Sequence, residues 1–276
     1  MKLVADAGGT KTDWRLLDGD SIQQFSTPGY NPNTHDLDEF IASLKSEFAQ
    51  LASKINQVYF YGASIYPKNE TFRTALATLF TQAEIHLNND LFGSCRALSA
   101  DEPAFVGISG TGSAGCFYDG KEVTIHPPSL GHSIGDEGSG AVLGKALLRL
   151  ALRKKLDSEL QEKFDHTYNL TKEEVYRHVY RAEHPNAYLA SFTKFLGEHR
   201  SHPQIHELLT SEFRAYYSAY FLDMPDITKF PFHFTGSVAY FFGDYLRQIG
   251  TELGLTVGRI VQSPIAGLAL YHQNHE

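Results

Sequence analysis

The chain has 276 residues, of which 42% are hydrophobic and 20% are charged, and its formal net charge at pH 7 is -8. This composition is typical of a globular protein with a substantial core, and the length fits two compact lobes better than one. The acidic balance disfavours non-specific binding to nucleic acid or to an anionic membrane surface. A local cradle of backbone N–H groups could still bind phosphate, because such sites do not depend on global charge.

The two cysteines, Cys95 and Cys116, lie far apart and without a C-x-x-C spacing. This pattern argues against a disulfide framework and against a structural zinc site. The first residues enter a strand-like run without a signal-like segment, and no stretch of the sequence approaches the length of a membrane span. These features predict a reduced, cytoplasmic protein.

Strands and helices are predicted to alternate over the first part of the chain. Short apolar runs predict strands at Lys2–Ala7, Thr12–Asp18, Ser21–Ser26, Val58–Ala63 and Glu84–Asn88. Apolar residues at helical spacing predict helices over Leu37–Ile55 and Thr71–Phe80. Two further strands, Ala104–Ser109 and Ser113–Tyr118, flank a second glycine-rich turn.

The later part of the chain is predicted to be mainly helical before it returns to strands. Helix is expected over Ser139–Leu156 and over most of Asp157–Met224, with breaks near His184-Pro185 and His202-Pro203. Strand, helix, strand and helix then follow at Phe230–Thr235, Val238–Leu253, Val257–Gln262 and from Ile265 onward. This succession predicts an α/β architecture.

Two glycine-rich turns occupy corresponding places in the two halves. The sequences are Asp-Ala-Gly-Gly-Thr-Lys-Thr at Asp6–Thr12 and Ser-Gly-Thr-Gly-Ser at Ser109–Ser113, each between two apolar strands. Glycine lets backbone N–H groups approach an anion, and threonine hydroxyls add further donors. Neither turn is a Walker A motif, and either one alone could be an ordinary tight hairpin. Together they indicate a duplicated fold whose two lobes hold phosphates across a cleft.

Four acidic or amide residues have a structural interpretation, which for Asp90, Asp136 and Asn31 stands beside a functional one. Asp90 follows a strand, where α/β sheets carry working side chains, but it could equally cap a helix beginning near Leu91. Asp136 and Glu137 open a helix, where acidic side chains also complement the helix dipole. Asn31 lies beside Pro32 and could be a turn residue.

The ordered set of motifs resembles the N-acetylglucosamine kinase group of the BadF/BadG/BcrA/BcrD ATPase family. The motifs cover nearly the whole chain and lie at Asp6–Thr12, Asn89–Gly93, Ser109–Ser113, Gly131–Gly140, Thr235–Val238 and Ser263–Gly267. The resemblance implies an α/β protein with two ribonuclease H-like lobes of the actin/hexokinase-like ATPase fold and an interlobe cleft. We expect the lobes to comprise residues 1–107 and 108–276.

The resemblance further implies a phosphotransferase that uses ATP and Mg²⁺ to phosphorylate a small sugar, N-acetylglucosamine or a relative such as N-acetylmuramic acid. It makes Asp90 the catalytic residue, which orients the hydroxyl group and accepts its proton late, and Asp6 the residue nearest the metal. The implied phosphate-binding residues are Gly8, Gly9, Thr10, Lys11, Thr12, Gly110, Thr111 and Gly112. The implied adenosine-binding residues are Gly236, Ser237 and Gly267, and the implied sugar-binding residues are Asn31, Asp90, Leu130, Gly131 and Asp136.

One departure from the family pattern concerns the sugar. The family often has glycine and tryptophan where this chain has Ser129 and Leu130, and leucine cannot reproduce the flat apolar area of tryptophan. The pattern therefore supports kinase chemistry more firmly than it supports one particular sugar.

Two other functions fit parts of the sequence. An ATPase activator of an iron–sulfur dehydratase or reductase would hold its cluster between subunits through cysteines, but Cys95 and Cys116 do not match that family's cluster pattern. A non-enzymatic sugar sensor would leave an intact Asp90 unexplained. The aromatic cluster Tyr216, Tyr217, Tyr220 and Phe221 indicates either core or a subunit contact, which leaves a homodimer open.

Overall fold

The computed structural model describes residues 1–275, which form two compact units. The first unit comprises residues 1–102, 120–122 and 263–275, and the second comprises residues 103–119 and 123–262. The second unit thus begins at Pro103, and the last helix packs with the N-terminal residues. The lobe boundary after residue 107 stays a prediction.

Each unit contains a five-stranded mixed sheet, and the two sheets share one strand order. In chain order the strands are β1 Lys2–Ala7, β2 Lys11–Asp18, β3 Ser21–Pro28, β4 Gln57–Gly62, β5 Glu84–Asn88, β6 Ala104–Ser109, β7 Ser113–Tyr118, β8 Val123–Ile125, β9 Phe232–Thr235 and β10 Val257–Val261. The first sheet runs β3-β2-β1-β4-β5 and the second β8-β7-β6-β9-β10. In each sheet the three strands that come first in the chain form an antiparallel meander. The other two strands run parallel to β1 in the first sheet and to β6 in the second. The predicted α/β class and the predicted duplication are confirmed.

Helices connect and cover these strands. They are α1 Leu37–Phe48, α2 Glu70–Leu79, α3 Asp90–Ser99, α4 Gly131–Ile134, α5 Gly140–Leu152, α6 Ser158–Tyr168, α7 Lys172–Tyr180, α8 Pro185–Ser191, α9 Thr193–Glu198, α10 Pro203–Tyr220, α11 Ser237–Phe241, α12 Gly243–Glu252 and α13 Ile265–Asn274. Pro185 and Pro203 lie in the first turns of α8 and α10, where a missing N–H costs nothing. Of the helices within residues 1–275, none is long and apolar enough to cross a bilayer.

The first sheet is covered on both faces. In β1, Leu3 and Ala5 belong to the core beneath α1 and α2, whereas Val4 packs on the opposite face with residues of α13. This alternation follows from the two-residue period of a strand. Because β1, β4 and β5 are parallel, their carboxyl ends meet at one edge of the sheet. That edge carries the first glycine turn and the start of α3.

The aromatic cluster at the end of α10 belongs to the core of the second unit. Tyr216 and Tyr217 are fully buried, and the Tyr216 hydroxyl lies 2.9 Å from the carbonyl oxygens of Ile108 and Ala114. A side chain at Gly107 on β6 would collide with that hydroxyl. Of the two interpretations of this cluster, core is therefore the correct one.

Three predicted helices are shorter than the apolar pattern suggested: the one predicted over Ser139–Leu156 ends at Leu152, and the other two end or break near a buried side chain. Helix α1 ends at Phe48, and a 3₁₀ turn at Ala52–Lys54 leads into Ile55, which is extended and fully buried. The helix predicted over Val238–Leu253 is divided at Phe242, whose φ of -112° lies outside the helical range while its ring is buried. In both places tertiary burial of one side chain overrides helical periodicity.

Candidate functional site

The first glycine turn links β1 to β2 at the carboxyl edge of the first sheet. The Gly8 N–H donates to the Lys11 carbonyl at 2.9 Å and closes the turn, and Gly8, Gly9 and Thr10 are exposed. Gly29 packs directly beneath, since any side chain there would collide with the backbone of Gly8 and Gly9. The turn is therefore supported from below while its outer side stays open.

Glycine at two positions of the two turns has no explanation within the fold. A Cβ added at Gly9 or at Gly110 would meet no atom within 4 Å, and neither residue has a left-handed φ. Packing and backbone conformation would both tolerate a side chain there. Open space in front of a turn is what the close approach of an anion requires.

Two other residues of the first turn are committed to contacts within the protein. Thr12 is fully buried and its hydroxyl donates to the Pro28 carbonyl at 3.1 Å, which leaves no proton for a phosphate oxygen. The Lys11 ammonium group lies 2.6 Å from the Asp13 carboxylate on an exposed surface. The first turn therefore leaves the backbone N–H groups of Gly9 and Thr10 and the Thr10 hydroxyl on its exposed side.

Asp90 is the first residue of α3, and its neighbour serves as the helix cap. The Asn89 side-chain oxygen accepts from the Phe92 N–H at 2.7 Å, so the alternative that Asp90 caps this helix is wrong. The Asp90 carboxylate accepts from the Leu91 N–H at 3.0 Å. Burial raises the pKa of Asp90 above its ordinary 3.8. A desolvated carboxylate is a stronger proton acceptor than an exposed one.

Asp6 lies near the end of β1, at the same edge of the sheet. Burial raises the pKa of Asp6 from 3.8 to about 7, the hydrogen bond from Ser263 opposes this rise, and the charges of Asp90 and Asp13 add to it. The Ser263 hydroxyl donates to Asp6 Oδ2 at 3.2 Å. A cation beside Asp6 would offset both its burial and its acidic neighbours.

The second glycine turn is fastened to the segment that opens α5. Four hydrogen bonds make this connection: Ser109 Oγ to the Gly138 carbonyl at 2.7 Å, Ser113 Oγ to the Glu137 carbonyl at 2.8 Å, Gly140 N–H to the Gly110 carbonyl at 2.8 Å, and Ala141 N–H to the Thr111 carbonyl at 3.1 Å. The carbonyl groups of this turn are therefore directed toward the protein, and Thr111 stays exposed.

Asp136 belongs to the same cluster. Its φ of 58° is left-handed, its exposed fraction is 8%, and burial raises its pKa above 3.8. The Ser129 hydroxyl donates to Asp136 Oδ1 at 3.2 Å, and Oδ2 lies against Gly112. A left-handed non-glycine residue costs about 1–3 kcal/mol, which the surrounding structure must offset. One oxygen of this carboxylate is thus held by Ser129, and the other lies against the second turn.

The other residues assigned by resemblance differ in exposure, backbone conformation and hydrogen bonding. Leu130 is 54% exposed, and Gly131 has a left-handed φ of 74°, which explains the glycine there. Asn31 accepts from the Asn33 N–H at 2.9 Å, so the turn role of Asn31 is present. A side chain at Gly236 would collide with the Ser109 carbonyl, while Ser237 is exposed.

The structure groups the predicted residues within each unit. The first unit brings Asp6, Asp90 and the exposed first turn to one sheet edge, and the second unit gathers Asp136, Gly236 and the second turn. Gly267 lies in α13 against the Ala97 carbonyl, so close helix packing already explains that glycine.

Four residues that shape the site were not among the predicted site residues, although two of them lie within predicted motifs: Gly29, Asn89, Ser129 and Ser263. The Asn89 cap has a local signal, because asparagine before a helix is a favoured cap. The hydroxyl of Ser263 finds its partner 257 positions away, and no local pattern marks such a contact.

Within residues 1–275, no group of three or more His, Cys, Asp or Glu side chains is arranged to hold a metal ion. Magnesium fits nonetheless, because it takes one or two carboxylates and completes its shell with water and substrate phosphates. Asp6, desolvated and beside other acidic residues, is the carboxylate suited to that role.

Comparison with known proteins identifies the family through solved structures. No family model and no curated protein matches the chain. A candidate N-acetylglucosamine kinase from Porphyromonas gingivalis is 34% identical, with a TM-score of 0.93, and the match covers 100% of this chain and 99% of that one.

Two more distant structures show the fold alone. A candidate N-acetylglucosamine kinase from Chromobacterium violaceum is 20% identical with a TM-score of 0.68, over 98% of each chain. A ROK family glucokinase from Streptomyces griseus, solved with glucose and AMPPNP, is 14% identical with a TM-score of 0.56, over 98% of this chain and 97% of that one. Identity over the full length, together with the shared two-sheet architecture, places this chain in the N-acetylglucosamine kinase group of the BadF/BadG/BcrA/BcrD ATPase family, and so among the phosphotransferases of the actin/hexokinase-like fold.

Proposed function

We propose that this protein transfers the γ-phosphoryl group of ATP to a hydroxyl group of N-acetylglucosamine or a related amino sugar. The observation that carries the proposal is the edge of the first sheet, where the half-buried Asp90 accompanies an open glycine turn. Family membership supports the same reaction, and a cytoplasmic location remains part of the proposal.

Asp90 would orient the sugar hydroxyl and accept its proton. Phosphoryl transfer passes through a loose transition state, so the protein mainly positions the reactants and offsets charge. The ordinary pKa of an aspartate, about 3.9, is far below that of a sugar hydroxyl, so proton transfer comes late in the reaction. The raised pKa of Asp90 suits this role.

The glycine turns would bind the phosphate groups of ATP. Gly9 and Thr10 offer backbone N–H groups and a hydroxyl on the exposed side of the first turn, whose Gly8 N–H closes the turn. Thr111 offers the same groups on the second turn, where the Gly110 N–H donates to the Gly112 carbonyl at 2.9 Å. These donors would contact the phosphates of a bound nucleotide. Gly236 and Ser237, beside the second turn, would contact its adenosine part.

Magnesium, when bound with ATP, would offset charge on the phosphate oxygens. Asp6 would hold the hydrated ion, and the site would favour the ionised carboxylate once the cation is there. The proposed sugar-binding residues are Asn31 and Asp90 in the first unit, with the Asn31 amide nitrogen as the donor, and Leu130, Gly131 and Asp136 in the second.

The iron–sulfur activator is not favoured by any observation. Cys95 and Cys116 both have an exposed fraction of 0% and lie in different units. A cluster shared between subunits needs thiolates that reach the surface.

The test is a coupled ADP-release assay with ATP and Mg²⁺ across N-acetylglucosamine, N-acetylmuramic acid, N-acetylmannosamine and glucose. We expect sugar-dependent ADP release with at least one acetylated amino sugar and an iron-free protein by metal analysis. ADP release that no sugar stimulates, or stoichiometric iron, would contradict the proposal.

A further inference from the structure

The segment Ser263–Gly267 has contacts that its resemblance to an adenosine-binding motif does not explain. Ser263 precedes α13, and its hydroxyl donates to Asp6 Oδ2 at 3.2 Å. The Ser263 hydroxyl oxygen also accepts a hydrogen bond from the Ile265 N–H at 3.4 Å. Since that N–H occupies a lone pair of the Ser263 oxygen, the hydroxyl proton is left to point at the carboxylate.

Helix α13 also packs against the helix that begins at Asp90. At Gly267 an added Cβ would overlap the carbonyl oxygen of Ala97 in α3, so the two helix backbones touch. Helix α13 also packs against Val4 and Tyr61 of the first sheet through Ile265, Leu268 and Ala269. The position of Ser263 is therefore fixed relative to β1, which carries Asp6, and to α3, which begins with Asp90.

A hydrogen bond to one carboxylate oxygen restricts rotation of the whole group. Hydrogen bonds to ionised acceptors are about twice as strong as neutral ones. With Oδ2 of Asp6 held by Ser263, Oδ1 is the oxygen left for another partner. A carboxylate that already has its orientation loses less freedom when it contacts a hydrated ion.

We propose that Ser263 is a positioning residue that holds the Asp6 carboxylate for the magnesium ion of the bound nucleotide, rather than a contact to adenosine. The inference rests on the proposed function and adds to it a residue that acts through Asp6. The alternative roles of Ser263 are an adenosine contact and a purely structural cap of α13.

The experiment measures nucleotide affinity with and without divalent metal. ADP binding is followed by calorimetry in EDTA and in excess Mg²⁺, and Mn²⁺ binding to the ADP complex is followed by electron paramagnetic resonance. The variants are Ser263→Ala, Ser263→Thr, which keeps the hydroxyl, and Ser237→Ala in the proposed adenosine site. Ser201→Ala, an exposed serine in neither group, is the neutral control.

For Ser263→Ala we expect ADP affinity in EDTA within twofold of the unmodified protein and a loss of about tenfold in the gain from Mg²⁺ and in Mn²⁺ affinity. Ser263→Thr should keep most of that gain, and Ser237→Ala should weaken binding equally with and without metal. The inference is overturned if Ser263→Ala behaves like Ser237→Ala, if it leaves the metal-dependent gain intact, or if Ser263→Thr loses as much as Ser263→Ala. An unmodified protein that binds no ADP under either condition would overturn the proposed function and, with it, this inference.

Discussion

Asn89 and Asp90 are neighbours with separate tasks. The Asn89 amide oxygen accepts from the Phe92 N–H and caps α3, so the helix does not depend on the Asp90 side chain for its start. The Asp90 carboxylate is instead desolvated and its pKa is raised, which is a cost to stability that a purely structural residue would not need. This separation makes the catalytic assignment testable at one residue.

Asp90→Asn should reduce kcat by about a thousandfold or more while ATP binding stays nearly unchanged, because orientation and proton acceptance are lost but the glycine turns are intact. The measurements are steady-state kinetics on the best sugar and ATP affinity by calorimetry.

Asn89→Ala is the matched control for Asp90→Asn. Loss of the cap should cost about 1 kcal/mol of the free energy of unfolding, with a much smaller effect on kcat. If Asp90→Asn retains most of its activity, the catalytic assignment is wrong.

A second prediction concerns His272, a fully buried residue of α13. Its Nε2 lies 2.9 Å from the Tyr61 hydroxyl, and its ring stacks on Tyr59 at 3.8 Å. Burial, with the positive charges of Arg96 and Lys2, lowers the pKa of His272 from 6.5 to about 3. The folded state therefore resists protonation more strongly than the unfolded state does.

Because the folded pKa of His272 is depressed, its contribution to stability is complete above pH 6.5 and is lost as the pH falls from 6.5 toward 3. Between pH 7 and pH 5 this loss is about 2 kcal/mol. His272→Phe, which keeps an aromatic ring beside Tyr59, should lower the free energy of unfolding at pH 7 but weaken its decline toward pH 5. Urea unfolding across that range measures the slope. An unchanged slope, matching that of a variant at the exposed His166, would contradict this account.

At the scale of elements, the two glycine turns are the features whose sequence and structure agree best. Each joins the first two strands of its sheet, and each contains one glycine that neither packing nor backbone conformation requires. A simple hairpin would tolerate alanine at those two positions, whereas a phosphate-binding turn would not.

Gly9→Ala and Gly110→Ala should therefore fold normally and bind ATP at least tenfold more weakly, because the new methyl group occupies the space in front of the turn. Gly197→Ala in α9 is the control, since its Cβ would have the Phe242 ring as its nearest neighbour, at an ordinary contact distance of 3.9 Å. Thermal unfolding and ATP calorimetry on the three variants give the comparison. Unchanged ATP affinity in both turn variants would show that the turns are structural.

The sequence predicted elements where local pattern decides them. The strands Glu84–Asn88, Ala104–Ser109 and Ser113–Tyr118 have the predicted bounds because short apolar runs between turns leave one choice. The helices around Ile55 and Phe242 were predicted too long, because the burial of a single ring or aliphatic chain ended them. For the site, the motifs pointed to the turns and to Asp90, but the partners Ser129 and Ser263 depend on tertiary contacts that no spacing reveals.

At the scale of the whole molecule, the chain contains two sheets of the same topology without a sequence repeat. The two sheets then diverge in what surrounds them, since the second unit adds the helices α5 to α10. The reaction class follows from family membership, whereas the choice of sugar depends on a few side chains. Under the proposed function Leu130 is the first of these to test, because it stands where the family often has tryptophan and is 54% exposed.

The last prediction concerns sugar preference. Leucine at position 130 removes a flat aromatic wall, and Ser129 contributes a hydroxyl to Asp136 where the family often has glycine. A pocket relaxed in this way should accept N-acetylmuramic acid, with its bulkier lactyl ether, as well as N-acetylglucosamine. An apolar contact of this size is worth about 1–3 kcal/mol of discrimination, so mixed preference is expected rather than a complete switch.

The measurement is kcat/KM for N-acetylglucosamine, N-acetylmuramic acid and glucose under identical ATP and Mg²⁺, for the unmodified protein and for Leu130→Trp. Both acetylated sugars should be phosphorylated, and Leu130→Trp should favour N-acetylglucosamine by about tenfold relative to N-acetylmuramic acid, because the larger ring refills the space. The exposed position of Leu130 means that tryptophan need not disturb the core, which thermal unfolding would check. A Leu130→Trp variant with an unchanged ratio would show that another side chain limits the pocket. Activity on glucose alone would reject the amino-sugar assignment and leave the fold and the phosphotransferase class standing.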